Sequence, residues 1–266
     1  MDHQDFWLGK YPESISRTID TNIYPTILDL FKESCRKYAN KPAFSNMGRT
    51  LTFAEVDKYS ATFATWIQQN TDLQVGDRIA VQMPNLLQYP IVVFGAMRAG
   101  LVIVNTNPLY TAREMEHQFK DAGCKALVTL ANFGHLVQEV LPRTGIRYVI
   151  ISELADMLPF PKRVVVNNIV KYIKKLVPSY HLPTAIPFTQ VMKANPSKFK
   201  EVTPKPDGSA VLQYTGGTTG VSKGAMLTHR SITSNMLQTH AFLSTALEAG
   251  RETMVCPLPL YHIFAF

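Results

Sequence analysis

The run SAVLQYTGGTTGVSKGAMLTHR, residues 209–230, decides how the chain is read. Ala210 to Tyr214 predicts a strand, and Ala225 to Thr228 predicts a second. Between them, Gly216, Gly217 and Gly220 let the backbone take positive φ and approach a ligand closely. Successive exposed N–H groups in such a loop form a concavity that binds anions. Thr215, Thr218 and Thr219 add hydroxyls, which donate hydrogen bonds and can ligate a hard cation. Lys223, just before Gly224, supplies a mobile positive charge. The combination suits a polyphosphate with magnesium.

Two other readings compete. The Walker A loop needs GxxxxGK followed by Ser or Thr. Here Ser222 precedes Lys223 and Gly224 follows it, and the segment runs strand–loop–strand rather than strand–loop–helix. A ligand-free glycine-rich hairpin is the second rival; the three threonines and the lysine weigh against it.

Upstream, helical and strand patterns alternate. Thr52 with Glu55, and Thr111 with Glu114, have capping-box spacing and open helices. A third helix is expected from Leu86 to Arg98 and a fourth from Gly134 to Val140. Short apolar runs at Arg78–Met83, Leu101–Val104, Lys125–Leu130 and Arg147–Ile151 read as strands. Strands separated by helices imply parallel pairing with right-handed crossovers, in sheets covered on both faces. The expected class is α/β, with layered, mostly parallel sheets flanked by helices. Residues 1–157 form the first α/β part of this reading. Residues 158–207, rich in proline, form a connection carrying one helix from about Val164 to Val177, and residues 208–266 resume the core pattern.

Composition sets outer bounds. The 266 residues are 46% apolar and 18% charged, which are globular values. The net charge of +7 suits nucleotides, CoA, fatty carboxylates or an anionic membrane, and by itself would equally suit a nucleic acid. Cys35, Cys124 and Cys256 lie far apart with no CxxC spacing, so neither a disulfide framework nor a zinc site is expected, and a reducing cytoplasm is the natural setting. No signal-peptide pattern opens the chain. The longest apolar region, Tyr89–Val104, is broken by Arg98 and Gly100 and is too short to span a bilayer.

Tyr214 to Gly224 resembles, over eleven residues, the AMP-binding signature of adenylate-forming enzymes. Pro257-Leu-Pro-Leu-Tyr-His-Ile-Phe264 is similar to the family's proline–aromatic–histidine segment, which borders the acyl site. The segments at residues 83–90, 105–114 and 170–183 look like bacterial long-chain fatty-acid–CoA ligases in particular. The resemblance implies the amino-terminal portion of the acyl-CoA synthetase-like fold. It implies activation of a fatty acid by ATP, with pyrophosphate released, and then transfer of the acyl group to CoA. It places Tyr214, Thr215, Gly216, Gly217, Thr218, Thr219, Gly220, Val221, Ser222, Lys223, Gly224 and Ala225 on the ATP phosphates. Lys223 neutralises charge there, Thr215 helps ligate Mg²⁺, and Tyr261 and His262 lie near the fatty carboxylate. The family's remaining motifs fall beyond Phe266, so this chain alone is expected not to complete acyl-CoA synthesis.

Val166, Ile169, Val170, Ile173, Leu176 and Val177 recur at helical spacing, with Lys171, Lys174 and Lys175 on the other side. This basic amphipathic pattern fits either a surface helix packed on the core or peripheral contact with the anionic inner face of the cytoplasmic membrane. No nucleic acid is expected as partner, and both a monomer and a homodimer stay open. Another adenylate-former, such as an acyl-AMP or aryl-CoA ligase, and a non-enzymatic nucleotide- or lipid-binding fragment are the alternatives.

Overall fold

The computed structural model describes residues 9–216, 222–263 and 265–266. Its first helix, α1 (Ile27–Lys37), is followed by an antiparallel hairpin of β1 (Pro42–Asn46) and β2 (Arg49–Thr52). Then come α2 (Phe53–Asn70), β3 (Arg78–Gln82), α3 (Gln88–Arg98), β4 (Val102–Asn105), α4 (Ala112–Asp121) and β5 (Cys124–Leu130). Next are α5 (Gly134–Val140), β6 (Tyr148–Ser152), α6 (Lys162–Asn168), β7 (Ile186–Pro187) and α7 (Phe188–Val191). β8 (Ser209–Thr215), β9 (Lys223–Thr228) and α8 (His229–Leu243) complete the order. The hairpin and α1 carry no expectation from the sequence; the helix starts at a capping box in which Asp29 takes the place usually held by Glu or Gln.

The main sheet has the order β7-β6-β5-β3-β4-β8-β9. Every pair in it is parallel except β8–β9. Strand periodicity divides the core in two. Ile79, Val81, Ile103, Val128 and Ile150 face α2 and α3, whereas Ala80, Val104, Leu127 and Val149 face Met115 and Phe119 of α4 and Val137 and Val140 of α5. The sheet is therefore buried on both faces, as parallel strands joined by helices require.

The first layer closes through Gly95 of α3. A Cβ there would lie 2.8 Å from the Ser60 carbonyl and the Phe63 Cβ of α2, so only glycine permits this approach. Arg98, near the end of α3, is buried, donates to Asp57 Oδ1 at 2.6 Å and Ser60 Oγ at 2.9 Å, and lies over the Phe199 ring at 4.6 Å.

β3 leads into α3 on one face, and its neighbour β4 leads into α4 on the other. A crevice therefore opens at the carboxyl ends of β3 and β4, where open α/β sheets bind ligands.

The connection between β6 and β7 differs from expectation. α6 spans Lys162–Asn168 and passes into a π-helical turn, Ile169–Ile173, instead of running as one α-helix to Val177. The wider turn is closed by Lys174 N–H donating to the Ile169 carbonyl at 2.8 Å, and Lys175, at φ 52°, ends it. The change of pitch rotates the side chains. Val164, Val165, Ile169, Tyr172, Ile173 and Leu176 are exposed, whereas Val166, Val170 and Val177 are half-buried.

Candidate functional site

β8 and β9 carry the flanks of the glycine–threonine loop. Their antiparallel register sets Thr215 opposite Lys223, Tyr214 opposite Gly224 and Gln213 opposite Ala225. Thr215, Gly216, Lys223 and Ala225 are exposed, with Ser222 and Gly224 half-buried. Thr215 and Lys223 thus face each other across the two strands at the carboxyl end of β8. Gly217, Thr218, Thr219, Gly220 and Val221 lie outside the described residues.

The base of the loop is fixed by packing. The Tyr214 ring lies over Gly224, where an added Cβ would be 2.9 Å from ring carbons. The Tyr214 hydroxyl donates to Asp121 at the end of α4. Burial, then the Asp121 carboxylate, pushes this phenol well above its usual range, so it remains a donor. On the other flank, His117 Nε2 of α4 lies 3.0 Å from the Ser222 carbonyl.

The proline-rich segment that carries Tyr261 and His262 lies against the same edge. Leu260 N–H donates to Asn85 Oδ1 at 2.8 Å, and Asn85 Nδ2 donates to the Leu258 carbonyl at 2.8 Å. The Tyr89 hydroxyl shares its single proton between two acceptors, Asn105 Oδ1 at 2.8 Å and the Leu260 carbonyl at 2.7 Å. Asn105 Nδ2 reaches Gln213 Oε1 at 3.3 Å, and Gln213 Nε2 reaches the Tyr261 carbonyl at 3.3 Å. These bonds form a circuit that leaves the segment at Leu260 and returns to it at Tyr261. Tyr89, Asn105 and Gln213 are all buried, and burial pushes the Tyr89 phenol far above its usual range. Tyr261 is half-buried and His262 exposed; the His262 N–H closes a turn onto the Pro259 carbonyl at 2.9 Å.

Gln213 therefore joins the two stretches that the sequence picks out separately. Asn85, Tyr89 and Asn105 lie inside stretches that carry the resemblance, and Gln213 directly before one, but the sequence gives none of them a role of its own. Their signal is a polar residue where an apolar strand meets the crevice: Asn105 ends the VIVN of β4, and Gln213 lies two residues from the end of β8. Such a side chain must find buried partners or face a ligand.

Among the described residues, no group of three or more His, Cys, Asp or Glu is placed to hold a metal. The three cysteines are free thiols, and burial pushes Cys35 and Cys124 up to about 12, so neither is a nucleophile at neutral pH. The arrangement favours binding and neutralising an anion over acid–base or covalent chemistry.

The sequence profile of the family described as AMP-binding enzyme matches residues 31–266. The chain belongs to that family. It is 48% identical over 261 residues to a long-chain-fatty-acid–CoA ligase of Escherichia coli O6:H1, covering 97% of this chain and 46% of the relative. A long-chain-fatty-acid–CoA ligase of Yersinia pestis is 48% identical over 263 residues, with the same coverage of 97% and 46%. A 4-coumarate–CoA ligase of Petroselinum crispum is 26% identical over 236 residues, covering 88% and 38%. The solved structure of a long-chain-fatty-acid-CoA ligase from Archaeoglobus fulgidus superposes with a TM-score of 0.71 at 23% identity, over 95% of this chain and 45% of that one. The shared fold is the amino-terminal α/β portion of such ligases, and the chain spans about half the length of the curated relatives it matches.

Proposed function

We propose that the chain forms the ATP-phosphate end and one wall of the acyl site of a long-chain fatty-acid–CoA ligase. The observation that carries this is the Gln213 bridge. The strand holding Thr215 also holds, two residues earlier, the side chain bonded to the Tyr261 backbone. A phosphate-binding loop and an acyl-site segment meet there at one sheet edge, as a reaction between ATP and a carboxylate requires.

In this reading the fatty carboxylate attacks the α-phosphate of ATP and pyrophosphate leaves. The acyl-adenylate then gives its acyl group to the CoA thiol, with AMP as leaving group. Phosphoryl chemistry of this kind depends on positioning and charge neutralisation. Lys223 neutralises charge on the departing phosphates, and Tyr261 and His262 border the carboxylate. The Thr215 hydroxyl, exposed and beside Lys223, fits one ligand position of a Mg²⁺ held otherwise by phosphate oxygens and water, where the ion would offset phosphate charge. A carboxylate panel tests the assignment: AMP release by the full-length protein should require a long-chain acid and CoA. Preference for an aryl acid, or accumulation of acyl-AMP without thioester, would move it to another adenylate-former.

The same reading includes peripheral contact with an anionic membrane. Residues 157–200 hold eight Lys or Arg and no Asp or Glu, more positive charge than the net +7 of the chain. No residue of α6 or its π turn is buried, and Val165, Ile169 and Ile173 repeat at spacing four on the exposed side. An apolar stripe bordered by lysines fits a lipid surface, with about 1 kcal/mol for each nearby charge. No helix among the described residues is long and apolar enough to cross a membrane. Reversing Lys171, Lys174 and Lys175 to Glu should abolish co-sedimentation with phosphatidylglycerol vesicles; unchanged binding would remove this contact.

A further inference from the structure

We infer that α4 is the mount of the phosphate loop, with His117 and Asp121 as the positioning residues that hold its two flanks; the inference rests on the ATP reading of that loop. The two side chains are four residues apart, so they project from one face of the helix, one turn from each other. Asp121 takes the Tyr214 hydroxyl on the entering strand, and His117 meets the Ser222 carbonyl on the leaving side. A carbonyl can only accept, so Nε2 carries the proton in that bond.

The consequence for Lys223 follows from peptide planarity. The Ser222 carbonyl and the Lys223 N–H belong to one rigid unit, so fixing the carbonyl fixes where the next residue starts. On the opposite flank, the Tyr214 ring is held by Asp121 and seated on Gly224, which locks the rung next to Thr215 and Lys223. The backbone at Thr215 and at Lys223 is thus positioned by the same helix.

α4 is built to serve as a fixed point. Its N-terminus is closed by Thr111 and Glu114, and Met115, Gln118 and Phe119 bury its inner side. Glu116 pairs with Lys120 and with Arg143, tying the outer side to the segment after α5. Gln118 Nε2 donates to the Asn105 carbonyl at 3.0 Å, in the residue whose side chain enters the circuit around Tyr261. One helix therefore references the phosphate loop and the acyl-side circuit to each other, which a reaction between two bound substrates needs.

The test combines hydrogen exchange with kinetics on the full-length protein. In His117→Ala, exchange at residues 213–216 and 222–225 should rise about tenfold while β3 to β5 stay protected. The KM for ATP should rise about tenfold with the KM for the fatty acid unchanged. His117→Gln, whose amide N–H can donate to the same carbonyl, should recover most of both. Tyr214→Phe, which deletes one oxygen, should reproduce the effect from the other flank and keeps the test decisive if His117→Ala folds poorly. Unchanged exchange at the flanks would overturn the inference. So would exchange rising across the whole sheet with both KM values moving together. Wild-type protein without ATP-dependent turnover would sink the ligase reading alone, with the exchange result still deciding the mount.

Discussion

Leu260 N–H donates to the side-chain oxygen of Asn85 across 2.8 Å, so a loop side chain stands in for a neighbouring strand along the segment that carries Tyr261 and His262. Asn85 Nδ2 completes the imitation by donating to the Leu258 carbonyl. Asn85→Asp keeps the acceptor but turns the donor into a second oxygen facing the Cys256 and Leu258 carbonyls. Losing that bond should lower kcat/KM for the fatty acid about tenfold in the full-length protein, with the KM for ATP unchanged. Steady-state kinetics in each substrate check this.

Gly224→Ala should fail for a reason that a second substitution exposes. The new methyl would lie 2.9 Å from the Tyr214 ring, and relieving it would pull the phenol from Asp121. The expected loss is about 1–3 kcal/mol, as for overpacking elsewhere. In a Tyr214→Ala background the same substitution should cost far less. A denaturation double-mutant cycle measures the coupling.

Arg98 tests the mount of the first layer. Its guanidinium is buried between Asp57, Ser60 and the Phe199 ring. Arg98→Ala removes the hydrogen bonds and the packing of a buried guanidinium and leaves Asp57 half-exposed to water, so it should cost about 1–3 kcal/mol. Arg98→Lys should recover only part, because an ammonium cannot form the same planar contacts. Urea denaturation reads both.

His229 makes stability depend on acid. Burial depresses its imidazole from 6.5 to about 4, with Asp29 partly opposing the shift. The folded protein keeps the ring neutral while the unfolded chain takes up a proton below about 6.5. Stability from this group is therefore complete above pH 6.5 and is lost as pH falls from there towards 4. Midpoint denaturation over that window should fall more steeply in wild type than in His229→Gln.

The alternation of helices and strands was legible because the signals are local. Thr52–Glu55 and Thr111–Glu114 form the capping boxes that their spacing announces. The apolar runs of β3 to β6 pair in parallel, each within a residue or two of where the sequence places it. The two strands that set Thr215 opposite Lys223 were legible for the same reason, since a glycine-rich turn between two apolar runs announces a hairpin locally. The circuit of Tyr89, Asn105 and Gln213 was not. Its members lie 16 and 108 positions apart in sequence, and only the strand order β3-β4-β8 brings them together. The π turn at Ile169–Ile173 was hidden too, because an α-helical period fits its residues almost as well and the extra residue follows from closure rather than composition.

ATP–pyrophosphate exchange by the full-length protein, with and without a long-chain fatty acid and before any CoA is added, isolates adenylate formation at the β8–β9 loop. Exchange should need the fatty acid and Mg²⁺ and should fall at least tenfold in Lys223→Met, because adenylate formation precedes thioester formation. Exchange that proceeds equally without a fatty acid, or that survives Lys223→Met unchanged, would contradict adenylate formation at this loop.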